Sequence, residues 1–422
     1  MPLRLKPKQP SKSAPAVIRK IATTQLLPGM FVVDLHCRWF QTSFWRRHFL
    51  IEDAAAIAKI QADGIKEVSI DTECGIDLPI SPAASIARVN AVERKFKSLA
   101  EIKLAAPPKV SLGEERRRAA RLLPEATQTV TNLIASARAG ISVDAGLLEP
   151  LVQRMIESVM RNPDALVPLA RLKQMDTYAT EHAVATAALI IAFGRQQGLA
   201  EPQLEKLALG ALVKDIGHAA IDARLIAKTG SLSRAEFSVM QSHVEEGLAV
   251  LEATSRLPDL SVSVVLEHHE RFDGSGYPYR MLGASISAAG RMAAIVDSYD
   301  AMTSQRPYRP AISPSLALAQ LYDEGGNQFD PALVAAFVRT VGIYPVGTLV
   351  LLESGHLAVV DEICADNPLT PVVRVIYHTT RRLYVEPVKV DLARKVGNHY
   401  GQIVRAENFE RWGLSPLRWQ PA

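Results

Sequence analysis

His268-His269-Glu270-Arg271-Phe272-Asp273-Gly274-Ser275-Gly276-Tyr277-Pro278 is the stretch on which the reading of this 422-residue chain turns. Adjacent imidazoles leave a helix in different directions, so both can be metal ligands only at a helix end beside two ions. The glycines that follow permit tight backbone turns and let backbone approach a bound phosphate. A loop of this composition is a weak signal by itself. Its weight comes from what surrounds it.

Five of the ten histidines, His182, His218, His243, His268 and His269, fall in one helically patterned region together with Asp215 and Asp297. Any one of them alone reads as a core histidine satisfied by a neighbour. Spread over separate helices, they can converge as a metal site does in the core of a bundle. Asp297 ends the apolar run Met292-Ala293-Ala294-Ile295-Val296. A carboxylate buried there is costly unless it is paired or bound to metal.

These motifs identify the region as resembling the HD-GYP family. The stretch from His268 to Pro278 resembles the family signature, and Asp297-Ser298-Tyr299-Asp300-Ala301-Met302-Thr303-Ser304-Gln305-Arg306-Pro307-Tyr308-Arg309 resembles its next motif. Asp176-Thr177-Tyr178-Ala179-Thr180-Glu181-His182 is similar to the first ligand segment, and Met240 to Gly247, containing His243, to the third. The likeness covers about residues 165–340. Residues 21–75 resemble the uncharacterised domain often found in front of HD-GYP domains. The resemblance implies a cyclic di-GMP phosphodiesterase with two divalent transition metals, one or three being the alternatives, iron or manganese by preference. It implies metal ligands His182, Asp215, His243, His268, His269 and Asp297, with Asp215 bridging. It implies phosphate contacts from Arg306 and Arg309, and a pocket shaped by Tyr277, Gly276 and Asp273. Imidazole and carboxylate donors suit such ions, and guanidinium groups suit anionic phosphates.

The pattern breaks at one place. Where the family reads His-Asp-Ile-Gly-Lys, this chain reads Lys214-Asp215-Ile216-Gly217-His218. A protonated lysine has donors and no acceptor, so it cannot ligate a cation. Three outcomes follow: the ammonium replaces one metal, His218 at i+4 substitutes as a ligand, or the site binds metal poorly and is inactive. Lys214, Asp215 and His218 are therefore the candidate catalytic residues, with His218 a candidate general acid because its unperturbed pKa is near neutrality. The competing functional reading is a degenerate module that binds cyclic di-GMP or a partner protein without turnover. Another nucleotide substrate is the weaker third.

The rest of the chain frames this region. Apolar residues make up 48% and charged residues 22%, an ordinary globular composition able to bury a core. A formal charge of +4 is too small to point to a DNA-binding surface. No apolar run is long enough to span a membrane, and Cys37, Cys74 and Cys364 are too scattered for a disulfide framework. A cytoplasmic location is the expectation, with other signalling proteins and a homodimer as candidate partners. The expected organisation is mainly α: a basic, proline-broken disordered tail over 1–20, a small α/β domain over 21–75, a helical connector over 76–145, an HD-type helical bundle over 146–340, and a small β appendage over 341–411.

Overall fold

The computed structural model describes residues 18–36, 49–51, 53–71, 110–170, 178–228, 232–253, 257–304, 311–364, 367, 369–394 and 399–419. The chain divides into two compact units, residues 1–79 with 230–237, and the remainder.

In the first unit, β1 (Ile18–Ala22), β2 (Phe31–Asp34), β3 (Phe49–Leu50) and β4 (Glu67–Asp71) form an antiparallel sheet in the order β1-β4-β2-β3. Helix α1 (Ala54–Ala62) starts at Asp53, whose carboxylate accepts from the Ala56 amide at 2.9 Å, as an N-cap should. Ile21, Met30, Val32, Ile51, Ile60, Val68 and Ile70 fill the core between helix and sheet. The expected tail over 1–20 needs correction. Ile18 to Lys20 belong to β1, in register with Asp71 to Ser69. Lys20 looks like a tail residue, but an exposed strand position can carry its charge, which pairs with Glu67 of β4 at 2.5 Å. Residues 1–17 and the part of the expected helical connector before residue 110 lie outside the described residues.

The second unit is built on helices α2 (Leu112–Arg138), α3 (Glu149–Arg161), α4 (Pro163–Ala170), α5 (Tyr178–Gln196), α6 (Glu201–Val213), α7 (Ala223–Ile226), the later part of α8 (Arg234–Gln241), whose first four residues fall in the first unit, α9 (His243–Glu252), α10 (Asp259–Glu267), α11 (Ala288–Thr303), α12 (Pro314–Asp323) and α13 (Pro331–Val341). Helix α5 is buried along nearly its whole length, from Ala183 to Gly194. Ala183, Ala185, Ala187 and Ala188 let neighbouring helices come close on several sides. α6 and α11 pack on it, and α10 packs on both of those. The chain breaks at Ser242 between α8 and α9, and the break sets His243 at a helix start.

The β appendage is a five-stranded antiparallel sheet in the order β8-β7-β6-β5-β9. It comprises β5 (Leu349–Leu352), β6 (His356–Glu362), β7 (Val372–His378), β8 (Leu383–Asp391) and β9 (Ile403–Glu407). One face, with Val350, Ala358, Val360, Val373 and Val375, joins the helical core. The other packs Leu349, Leu357, Val359 and Ile376 against Phe409, Leu414 and Trp419. The appendage therefore runs past 411 and covers an apolar edge of the bundle. Arg116 of α2 reaches across to it and donates to the Asp361 carbonyl at 2.8 Å.

Candidate metal centre

The site is assembled from helix ends. His182 lies in the first turns of α5, Lys214 and Asp215 just past the end of α6, His243 at the start of α9, and His268 and His269 at the end of α10. Only Asp297 and Asp300 come from a helix interior, one turn apart on the buried face of α11.

Two groups of ligand atoms result. Asp215, His243, His268 and His269 form one, and His182, Asp215 and Asp297 the other, each within 4.8 Å of one another, so the adjacent pair His268 and His269 converges on one group and not on two as expected, because the helix ends at His268. Asp215 belongs to both, as the bridging role requires. In the first group, His243 Nδ1 donates to the Met240 carbonyl at 2.7 Å and His268 Nδ1 to the Val265 carbonyl at 2.9 Å. Those bonds fix the tautomer and leave each Nε2 with a free lone pair facing inward. Both Nε2 atoms are buried without a hydrogen-bond partner. They stand 3.7 and 3.6 Å from Asp215 Oδ1. Orphaned lone pairs converging on a carboxylate fit a divalent cation and little else. Burial, with cationic neighbours adding to it, lowers the His243 pKa to about 3 and holds that of His269 well below the usual range. Both rings are thus neutral donors at physiological pH.

The second group holds a cation of its own. Lys214 is 1% exposed. Its Nζ lies 2.6 Å from Asp297 Oδ1 and 3.1 Å from His182 Nε2, and it pairs with Asp215. Burial alone would lower its pKa, but Asp215 and Asp297 outweigh that and raise it. The two carboxylates, which burial alone would raise, are held well below the normal range, chiefly by Lys214. Asp300 fixes the His182 ring through Nδ1 at 2.5 Å.

His218 stands beside the first group rather than in it. Its ring stacks on His243 at 4.0 Å and its Nδ1 bonds the Asp215 carbonyl at 3.1 Å. Burial lowers its pKa, so at neutral pH it is an uncharged ring.

The signature loop is held from below by Glu270. Its buried carboxylate accepts from the Tyr279 amide at 2.7 Å and the Met281 amide at 3.0 Å. A Cβ on Gly276 would meet the Arg271 nitrogen at 2.3 Å, so only glycine permits this approach. Tyr277 stacks on His269 at 4.6 Å, and its peptide bond to Pro278 is cis. Asp273 is exposed and caps its own loop through the Ser275 amide at 2.9 Å. Arg306 and Arg309 lie outside the described residues. Sequence reasoning left Asp300 and Glu270 unassigned. For Asp300 a signal existed: it follows Asp297 by three on an apolar helix.

Residues 155–333 match a family model described as an HD domain, and residues 18–147 match a domain of unknown function, DUF3391. The chain is 38% identical over 402 residues to a Pseudomonas aeruginosa protein named cyclic di-GMP phosphodiesterase PA4108, covering 95% of each. This chain belongs to the HD-GYP family. A second HD-GYP relative, the cyclic di-GMP phosphodiesterase response regulator RpfG of Xanthomonas campestris pv. campestris, is 37% identical over 145 residues, 34% of this chain and 38% of that one. Among solved structures, Bd1817 of Bdellovibrio bacteriovorus aligns with a TM-score of 0.45 at 14% identity, over 76% of this chain and 98% of that one. Among the described residues no helix is long and apolar enough to cross a membrane.

Proposed function

We propose that this chain is a metal-dependent phosphodiesterase that hydrolyses cyclic di-GMP to the linear dinucleotide or on to GMP. The observation that carries it is the intact set of Asp215, His243, His268 and His269, with two buried imidazole lone pairs aimed at one carboxylate. The names of the relatives supply the substrate class. Iron or manganese suits this mix of imidazole and carboxylate. When bound, such an ion acts as a Lewis acid toward a phosphodiester and makes water nucleophilic near neutral pH.

The chain's own residues do the rest. Asp215 and the three imidazoles fix the ion's place. Lys214 supplies a permanent positive charge beside it, of the sign that phosphate oxygens favour. His218, neutral and stacked on His243, is placed to accept a proton. Tyr277 forms a wall of the pocket next to His269. Arg306 and Arg309 are assigned to the substrate phosphates from the motif they sit in.

The test is turnover of cyclic di-GMP by purified protein supplied with Mn(II) or Fe(II), read by chromatography of the products. Chelation abolishes it, and His243→Ala lowers kcat by at least about 100-fold. Metal-loaded protein that binds cyclic di-GMP without turning it over sinks the proposal. It supports the second reading, a binding module, which the buried Lys214 favours.

A further inference from the structure

Three acceptors, His182 Nε2, Asp215 and Asp297 Oδ1, converge on the Nζ of Lys214. They are the same three residues that make up the second ligand group. Nε2 and Oδ1 stand only 2.9 Å apart. Asp300 engages the other ring nitrogen. Metal–ligand bonds from these donors are about 2.0–2.2 Å long. An ion reaching all three would overlap the space Nζ occupies. Lys214 is also buried, at the C-cap of α6. His218 does not restore the missing ligand, because its ring is stacked on His243 at the other group.

We infer that the Lys214 ammonium is a built-in replacement for one metal ion, so that the folded chain holds a single divalent ion, at Asp215, His243, His268 and His269. The site is a hybrid of one ion and one fixed ammonium bridged by Asp215. This rests on the metal-site reading above but not on turnover. A phosphate oxygen that would sit between two ions instead sits between an ion and an ammonium, which donates hydrogen bonds and cannot be chelated away. Adjacent sites in ordinary two-ion centres are emptied together by a chelator. Here one of the two charges stays with the protein.

The experiment counts metal in the full chain. Protein is saturated with Mn(II), freed of excess by gel filtration and measured by inductively coupled plasma mass spectrometry. The wild type gives one ion per chain, and Lys214→His, which restores an imidazole, gives two. Two ions in the wild type overturn the inference, and so does one ion in both proteins or none in the wild type. Electron paramagnetic resonance guards against a variant that folds poorly, since it needs only the native chain. Mn(II)-loaded wild type shows the six-line spectrum of an isolated ion, and a spin-coupled spectrum overturns the inference. If the counts are one and two but cyclic di-GMP is not hydrolysed, the functional reading fails and this one stands.

Discussion

A lysine ammonium brings three donors and no lone pair, and Lys214 directs it at two carboxylates and an imidazole in a site almost closed to solvent. The charge it supplies is what allows Asp215 and Asp297 to remain ionised there. Removing one partner of a buried ionic cluster leaves the others uncompensated, which costs about 3–5 kcal/mol. Lys214→Met keeps most of the volume and deletes the charge. In the presence of a chelator it lowers the urea-unfolding free energy by about that amount. Adding Mn(II) restores part of the loss, because an ion can then take the ammonium's place. A variant as stable as the wild type in chelator contradicts the paired geometry.

At the scale of elements, the site depends on how closely helix ends can approach. The turn after α6 meets the first turn of α9 at Gly217, where a Cβ would lie 1.9 Å from the His243 carbonyl and 2.5 Å from the Gly247 nitrogen. Both are backbone atoms, so neither can rotate aside. Gly217→Ala must push α9 away and carry His243 from Asp215. Overpacking of this kind costs about 1–3 kcal/mol, and metal affinity falls by about 10–100-fold as the ligand set opens. Thermal unfolding and Mn(II) titration measure the two effects separately. An unchanged affinity would show that His243 is not positioned through this contact. Helix periodicity made the elements themselves legible, and the family resemblance of the motifs that hold them implied His182, Asp215, His243, His268, His269 and Asp297 as ligands. The break at Ser242, β1 and the docking of the appendage were not legible. A chain pause within an apolar run, a strand of five residues and contacts far apart in sequence leave no periodic trace. The sequence raised three fates for Lys214, and only its side-chain geometry separates them.

Across the larger unit, the β appendage and the helical bundle share one core, and two of the polar links between them use an ionisable side chain of the bundle. One is Arg116 on Asp361, which Arg374 also holds at 2.6 Å. The other is Asp164 in the first turn of α4, whose carboxylate accepts from the Ile363 amide at 3.1 Å. Burial raises the Asp164 pKa to about 6, against that one bond and the more distant Arg116 and Arg195, with Glu362 adding to the rise. The folded chain therefore holds a proton there that the unfolded chain has released. A raised carboxyl pKa contributes stability below the unfolded value near 4, and that contribution is lost as pH rises through about 6. At neutral pH the ionised group is a net cost of about 1–2 kcal/mol, allowing for its partial exposure. Asp164→Asn keeps an acceptor for the Ile363 amide and removes the charge. It raises the unfolding free energy at pH 7.5 by about that much, leaves it nearly unchanged at pH 4, and so flattens the profile between. Urea unfolding of the metal-free variant and wild type across that range decides it. A variant that is less stable at pH 7.5 would mean that the ionised carboxylate, through Arg116 and Arg195, ties sheet to bundle more strongly than its burial opposes it.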